Sequence, residues 1–540
     1  MAKKMILKVL SLALALVMML SVMTACNTDK PQETQGSNKP AETKPQGGNE
    51  APETTPAERE HVELIWYTFN GKLTAGMDET LEAVNAYLKE KLNTTIEWHF
   101  YKNSEYNDSV TTIFNSGAPI DCLISGASRI SFNQTAARGG FVALNDYIDQ
   151  YLPGTKAQLP EAAWDAYSKD GNVYAVPPIK DLATNFCFTF NASLADELGV
   201  AIPESYDTFD ELISFMYELK AARDAKYPEK ANQPILDGGL EYFEAWYFMD
   251  PFIGSNGSKN VLLASNIAGL KGLSGMGEGE TVYCPFFSDE YMEFCKTIRQ
   301  LVVDGIVPFD TKSFDEDKVL VNAGEIAGNM SIGLLFVDED ENPNYKSKLV
   351  TSDVAYLTTS GIQSGGFAIP AGSENIERTL EVIELLNTDT YLATMIRFGP
   401  EGVGWTDNDN DGVIEFTELN SDPSNRYWYA WYGWNLGAFP VSKVVPGCPA
   451  NYGEMVNELN QNATPSSNLG FVFDQEPVAN EIAACSSALS EYHKVLITGQ
   501  NDNVEQLVND FRAKLKASGI DTIVAECQAQ LNAWRAANGK

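Results

Sequence analysis

The chain has 540 residues, of which 44% are hydrophobic and 21% are charged, a length that suits about two to four domains. Its 74 acidic and 38 basic side chains give a formal net charge of −36 at pH 7, so phosphate backbones would repel it and nucleic acid is excluded as a partner. Only three histidines occur, and because histidine is the usual general base and zinc ligand, their scarcity argues against a hydrolase or a zinc enzyme.

Residues 1–25 predict a lipoprotein signal peptide. A basic stretch that ends at Lys8 is followed by an apolar run at 9–23 and by small residues before Cys26. The tetrapeptide that ends at Cys26 resembles a bacterial lipobox, although it begins with Met23 where that pattern prefers Leu. The resemblance implies that Cys26 becomes the lipidated N-terminus. The alternative is an uncleaved transmembrane anchor, but about 17 apolar residues are at the lower limit for a span.

Residues 26–60 predict a disordered linker. They are rich in Pro, Gln, Thr, Gly, Asn and Glu and show no apolar period, so they cannot bury enough surface to fold. A flexible coil of this length would hold the folded body about 30–35 Å from its anchor. We therefore expect an extracellular body that is lipid-anchored to the outer face of the bacterial cytoplasmic membrane.

Strands and helices alternate at the start of the body. The pattern predicts strands over 62–68, 95–100 and 120–124, and helices over 78–92 and 106–116. The order βαβαβ is typical of a parallel sheet with right-handed crossovers, so the predicted fold class is α/β. Ligands of such sheets bind beyond the carboxyl ends of the strands.

Further helices are predicted at the C-terminal end of the chain. Residues 476–497, 503–518 and 521–535 carry apolar side chains at helical spacing, which indicates packing. Besides Cys26, the chain has seven cysteines without CxxC spacing. Buried free thiols are the simplest interpretation, and a Cys284–Cys295 disulfide is the alternative.

Several segments carry a resemblance to a known family. They are 62–67, 87–92, 116–121, 141–148, 171–177, 190–196, 367–370, 375–380, 385–388, 470–474 and 531–534. In this order they resemble the extracellular solute-binding proteins of ABC importers, family 1, and in particular the LipO-type lipoproteins of Firmicutes. The resemblance covers about residues 62–540.

The resemblance implies a two-lobed, periplasmic-binding-protein-like fold of type 2, with mixed sheets flanked by helices, an interlobe hinge and a helical C-terminal region. Lobe one would comprise 61–183 and 366–402, and lobe two 184–365 and 403–540. The chain would cross between the lobes at 181–190 and at 361–367. Small residues at Ser364–Gly366 suit a hinge, and an ordinary turn is the alternative.

The cleft between the lobes is expected to hold a carbohydrate. Aromatic rings offer platforms for the C–H faces of sugars, and acids, amides and arginine bind sugar hydroxyls. The candidate ligand residues are Trp66, Tyr67, Asn70, Asp121, Ser125, Arg129, Asp181, Asn185, Trp246, Trp428, Trp431 and Trp434. For any single tryptophan, packing in the core is the alternative.

Residues 407–418 fit the calcium-loop pattern D-x-[DN]-x-[DN]-G-x₅-E at every specified position. The predicted ligands are Asp407, Asp409, Asp411, the carbonyl of Val413, Glu415 through water, and Glu418. Gly399–Gly402 replaces the helix that precedes a paired sensor loop, so we expect an EF-hand-like loop that binds a structural Ca²⁺. A solvated acidic turn is the alternative.

The sequence therefore predicts a lipid-anchored substrate-binding protein that captures an oligosaccharide and delivers it to the permease subunits of an ABC importer. Neither Gly-x-Ser-x-Gly nor a complete dinucleotide fingerprint occurs, so we expect no enzyme. A peptide-binding lipoprotein and a secreted glycan-degrading enzyme are the alternatives. The protein is expected to be a monomer.

Overall fold

The computed structural model describes residues 59–540, except 128, 204–207, 236–246, 248, 255–260, 308–319, 327–346, 352–353, 423–424, 431–434, 447 and 449. All of the described residues belong to one compact unit, Thr54–Lys540. None of the helices in this part of the chain is long and apolar enough to cross a membrane. The predicted signal peptide, Cys26 and the linker up to residue 58 lie outside the described residues.

The described secondary structure alternates strands and helices along most of the chain. The strands are β1 (Val62–Asn70), β2 (Thr94–Lys102), β3 (Cys122–Ser125), β4 (Ser168–Lys169), β5 (Asn172–Val173), β6 (Asn185–Asn191), β7 (Met249–Ile253), β8 (Leu263–Asn266), β9 (Leu320–Ile326), β10 (Ser347–Thr351), β11 (Tyr356–Leu357), β12 (Gly366–Ala368), β13 (Trp405–Thr406), β14 (Glu415–Phe416) and β15 (Thr464–Pro465). The helices are α1 (Met77–Leu92), α2 (Asn103–Asn115), α3 (Phe132–Ala137), α4 (Asn145–Tyr151), α5 (Pro153–Gln158), α6 (Glu161–Ala166), α7 (Ala192–Leu198), α8 (Phe209–Lys226), α9 (Asp289–Val303), α10 (Thr359–Ile362), α11 (Ile376–Thr388), α12 (Thr390–Phe398), α13 (Tyr452–Asn462), α14 (Ala479–Ile497), α15 (Val504–Ala517) and α16 (Ile520–Ala537).

The first sheet confirms the predicted βαβαβ start. β1 pairs in parallel with β2 and with β3, and β12 joins β3 in antiparallel fashion, so the order is β12–β3–β1–β2. Helix α1 buries Leu81, Val84 and Leu88, which share one face of the helix because they lie about one turn apart. The carboxyl ends of β1 and β2 open on the same edge of the sheet.

The two largest hydrophobic cores among the described residues correspond to two lobes. The first core gathers buried residues within 64–183, 357–396 and 428–469, and the second gathers those within 200–306 and 471–531. The mixed α/β, two-lobed fold is therefore confirmed. The boundary differs from the prediction for part of lobe two, since six buried residues of its predicted segment 403–540 pack in the first core: Trp428, Ala430, Leu436, Ala438, Ala463 and Leu469.

Three crossings between the cores lie side by side. The backbone N–H groups of Thr184 and Tyr356 each donate to the other residue's carbonyl, at 2.8 and 3.0 Å, and β11 pairs in parallel with β15 through Tyr356 and Thr464. The second crossing is thus at β11 and not within the predicted range 361–367. Gly366 instead lies inside the first lobe, where β12 pairs it with Ser125 of β3.

The C-terminal helices were predicted correctly. α14, α15 and α16 lie where the apolar spacing indicated, and their buried side chains, including Phe511 and Leu515, belong to the second core. Six cysteines are free and buried among the side chains that the structure describes, and they include Cys284 and Cys295, so the alternative disulfide is wrong.

Candidate functional site

Four of the predicted ligand residues lie in the first lobe's interior. The Trp66 ring packs against Trp98 and Phe367, with centroids 5.7 and 5.6 Å away, and is fully buried. Trp428 is also buried, and its Nε1 donates to the carbonyl of Ile396 at 2.9 Å. Both tryptophans therefore pack in the core, which is the alternative interpretation for any single tryptophan.

Asp121 and Ser125 are likewise held by the protein itself. The Asp121 carboxylate accepts from the backbone N–H of Ile65 at 2.9 Å and from the Ser373 hydroxyl at 2.6 Å. The Ser125 hydroxyl donates to the carbonyl of Ile130 at 2.6 Å. Both side chains are buried and fix loops around the first sheet.

Three more predicted residues surround the carboxyl ends of β1 and β3. Tyr67 is buried and stacks on His99, with ring centroids 4.4 Å apart. The Arg129 guanidinium lies 4.9 Å from the Phe69 ring centroid. Asn70 is buried at the end of β1. Its side-chain amide donates a hydrogen bond to the carbonyl of Tyr429, as described below.

The remaining predicted residues lie at the first crossing or outside the described part. Asp181 is buried beside Lys180, and burial raises the pKa of the Asp181 carboxyl while it lowers the pKa of the Lys180 amine. Asn185 begins β6 and pairs with Ile326 of β9. Three predicted tryptophans lie outside the described residues, namely Trp246, Trp431 and Trp434.

Asn460 at the end of α13 clamps the first crossing. Its Oδ1 accepts from the backbone N–H groups of Leu182 and Ala183, at 2.8 and 3.0 Å, and its Nδ2 donates to the carbonyl of Lys180 at 2.6 Å. The side chain is buried. Since α13 leads directly into β15, this residue joins the first crossing to the third. Sequence reasoning missed it, because its partners lie some 280 residues away.

A groove of about 610 Å³ lies beyond the carboxyl ends of β1 and β2. Its walls are the loop 71–75, the end of β2 and the segment 419–429. The lining residues are Gly71, Lys72, Leu73, Thr74, Ala75, Lys102, Leu419, Asn425, Arg426, Tyr427 and Tyr429. The rim is partly apolar, because Leu73 is 41% exposed and Leu419 is 54% exposed. The volume lies within the range of about 300–1,000 Å³ that is usual for ligand pockets.

Backbone and side-chain hydrogen bonds hold the groove's two walls together. The Thr74 hydroxyl and the backbone N–H of Gly76 both donate to the carbonyl of Tyr427, at 2.5 and 2.9 Å. Nδ2 of Asn70 donates to the carbonyl of Tyr429 at 3.1 Å. A Cβ at Gly76 would lie 2.6 Å from the Tyr427 ring, so only glycine allows this approach. The groove is therefore preformed.

Sequence reasoning anticipated the region of the groove but not its lining side chains. The predicted residues Asn70 and Trp428 are its immediate neighbours in the chain, whereas Lys72, Arg426 and Tyr429 line it. A usable signal was present, since the loop that directly follows a strand of a parallel sheet is a common ligand site.

A smaller cavity of about 240 Å³ lies where the two lobes meet. Ala127 and Gln363 come from the first lobe's side, and Phe252, Phe471 and Phe473 come from the second. Its volume is below the usual range for ligand pockets.

The loop 407–418 brings three carboxylates together. Asp407, Asp409 and Asp411 each place an oxygen within 4.8 Å of the other two. Oδ2 of Asp407 accepts from the backbone N–H of Gly412 at 3.3 Å and forms an ion pair with Lys443. Oδ1 of Asp407 is buried and has no hydrogen-bond partner among the described residues.

The other predicted metal ligands, Val413, Glu415 and Glu418, lie on the same loop. Val413 pairs with Val444 in a short parallel bridge. Oε2 of Glu415 accepts from the Thr406 hydroxyl at 3.1 Å, and Glu418 is exposed on the same loop.

Comparisons with known proteins agree on one family. The family model of bacterial extracellular solute-binding proteins matches residues 70–392, more than half of the chain, and a domain of unknown function (DUF3502) matches residues 467–536. A carbohydrate ABC transporter substrate-binding protein of Streptococcus pneumoniae serotype 4 is 24% identical over 468 residues, which cover 84% of this chain and 87% of that protein.

Solved structures show the same fold. The N-glycan transport solute-binding protein NgtS of Streptococcus pneumoniae is 20% identical, with a TM-score of 0.67 over 88% of this chain and 98% of that one. The alginate-binding protein AlgQ2, solved without calcium ion, is 18% identical, with a TM-score of 0.50 over 89% of this chain and 100% of that one.

Proposed function

We propose that this chain, which belongs to the bacterial extracellular solute-binding protein family, is a lipid-anchored protein that captures an oligosaccharide for an ABC importer. The observation that carries the proposal is the preformed groove beyond β1 and β2, with its two tyrosines and its polar side chains. The relatives support a saccharide ligand, because their names refer to carbohydrate, N-glycan and alginate.

The proposed mechanism is binding of the ligand in this preformed groove, followed by closure of the second lobe over it. Tyr427 and Tyr429 would carry the C–H faces of sugar rings, while Lys72 and Asn425 would bind hydroxyl groups. A ligand that contacts both lobes favours the closed form by the difference between its affinities for the closed and open forms. The crossings at Thr184, β11 and β15 would act as the hinge, and the permease would bind the closed protein. Lipid on Cys26 would keep it at the membrane.

We also propose that the loop 407–418 holds a structural calcium ion. The buried Oδ1 of Asp407 would lack a partner without a cation, and the carboxylates of Asp409 and Asp411 are beside it. The bond from Gly412 N–H to Oδ2 leaves Oδ1 for the metal. Oxygen ligands on a tight loop suit a hard cation such as Ca²⁺. When bound, the ion would offset the repulsion between these acids and fix the loop.

The experiment that tests the main proposal is a ligand screen with the exported chain. Calorimetry against a panel of oligosaccharides and peptides should give heat only with saccharides, and chromatography of the same mixtures should detect no new products. Tyr427→Ala should weaken the saccharide's binding at least about tenfold, because the ring's contact area is lost. Tyr217→Ala, which changes an exposed tyrosine of α8, is the matched control. Binding of peptides alone, or release of sugar products, would contradict the proposal.

A further inference from the structure

The groove beyond β1 and β2 differs in charge from the protein around it. Lys72, Lys102 and Arg426 are basic, and none of the described residues that line the groove is acidic. The whole chain has 74 acidic and only 38 basic side chains. A concave surface whose sign opposes that of the rest of the molecule concentrates ligands of the opposite charge. Its positive lining is therefore a feature of the site and not of the average composition.

Arg426 is the most firmly placed of the three cations. Its Nη1 donates to the carbonyl of Asn420 at 2.8 Å, and its guanidinium lies 3.8 Å from the ring centroid of Phe416 and 5.1 Å from that of Tyr429. A planar guanidinium held between a carbonyl and aromatic rings loses little entropy on binding and suits the geometry of carboxylate and similar anions.

Glu105 and Glu79 are two acids that contact the rim of the groove. Glu105 lies 3.7 Å from the Lys102 amine, but the two side chains are 57% and 61% exposed, and such exposed pairs contribute little free energy. Glu79, in the first turn of α1, accepts a hydrogen bond from the Tyr427 hydroxyl at 2.8 Å. A bound anion could therefore replace Glu105 as the partner of Lys102 at small cost.

We propose that the saccharide this groove selects is anionic, an oligosaccharide that carries a carboxylate or sulfate group beside Arg426 and the two lysines. The inference rests on the proposed saccharide-binding function and specifies its ligand class. Hydroxyl groups also accept hydrogen bonds from arginine and lysine, so a neutral sugar would bind there too. An anionic sugar should bind more tightly than a neutral one, because hydrogen bonds to an ionised acceptor are about twice as strong as those to a neutral acceptor.

The test compares charged and neutral saccharides of matched shape. Calorimetry with the exported chain would use trigalacturonate against its methyl ester, and a sulfated carrageenan oligosaccharide against its desulfated form. We expect the anionic member of at least one pair to bind about tenfold more tightly or better, since hydrogen bonds to an ionised acceptor are stronger than those to a hydroxyl. Which pair shows the preference distinguishes carboxylate from sulfate. The preference should shrink as salt is raised, because the groove is open to solvent.

Variants assign the preference to the groove. Arg426→Met and Lys72→Met should each reduce the preference for the anionic member, and Lys72→Met changes only an exposed loop side chain, so its folding is not at risk. Lys89→Met, an exposed lysine of α1, is the matched control and should leave the preference unchanged. Circular dichroism verifies that each variant folds.

Equal affinity for both members of both pairs, or a preference that neither groove variant reduces, would overturn the inference and leave saccharide binding intact. Binding of neutral oligosaccharides without any binding of the charged pairs would do the same. Absence of binding to every saccharide would instead overturn the proposed function itself.

Discussion

Asn460 is the residue at which the hinge can be tested most directly. Its buried side chain makes three hydrogen bonds to the backbone of the first crossing, at Lys180, Leu182 and Ala183. Asn460→Ala removes all three at once and leaves two N–H groups and one carbonyl without these partners. The helix α13 itself should be unaffected, because Asn460 lies at its end and alanine favours helix.

The expected loss of stability follows from those three bonds. A net contribution of about 1 kcal/mol for each bond gives about 3 kcal/mol, and buried groups left unsatisfied add to this, so we expect about 3–4 kcal/mol. Urea unfolding followed by circular dichroism measures the change. Asn457→Ala is the matched control, since it removes a half-exposed asparagine one turn earlier on α13 and should cost at most about 0.5 kcal/mol. A loss below about 1 kcal/mol for Asn460→Ala, or equal losses in the two variants, would refute the clamp.

Three further predictions test the loop, a buried acid and a core tryptophan. If the loop 407–418 binds calcium with a Kd of about 10⁻⁴–10⁻³ M, 10 mM calcium should stabilise the protein by about 1.4–2.7 kcal/mol. Asp407→Asn should abolish this stabilisation, and an equal stabilisation of the variant would contradict the site. Burial raises the pKa of Asp250 to about 7, so the folded state keeps this proton between about pH 4 and 7 while the unfolded state releases it. Stability should therefore fall by up to about 4 kcal/mol as the pH rises through that range. Asp250→Asn should remove this dependence of stability on pH. If the variant and the unchanged protein lose the same stability between about pH 4 and 7, the prediction is wrong. Trp428→Phe should cost about 1–3 kcal/mol of stability with an unchanged saccharide Kd, whereas weaker binding would place Trp428 in the site.

Local patterns in the sequence predicted much of the fold. The spacing of Leu81, Val84 and Leu88 indicated α1, and alternation with β-branched and aromatic residues indicated the strands on either side. The helices after residue 476 followed from the same period. These features depend on neighbours within a few residues, so a sequence contains the information directly.

The candidate site was only partly predictable. The predicted residues Asn70 and Trp428 both indicate the right region, and the groove lies beside them. The predicted ligand residues include large aromatic rings such as Trp66 and Trp428 but none of the tyrosines and cations that line the groove. Trp66 and Trp428 are buried instead, since the same area that suits a sugar face also suits a core.

The sequence by itself determined the βαβαβ start, the C-terminal helices and the spacing of acids in the loop 407–418, because each depends on short-range periodicity or fixed spacing. Only the tertiary structure decided where the lobes divide and which side chains line the groove. Tyr356 lies in the second crossing because it pairs with Thr184 and Thr464, each more than a hundred residues away. Arg426 and Lys102 line one groove because two distant segments meet at the end of a sheet, and no local pattern records such a meeting.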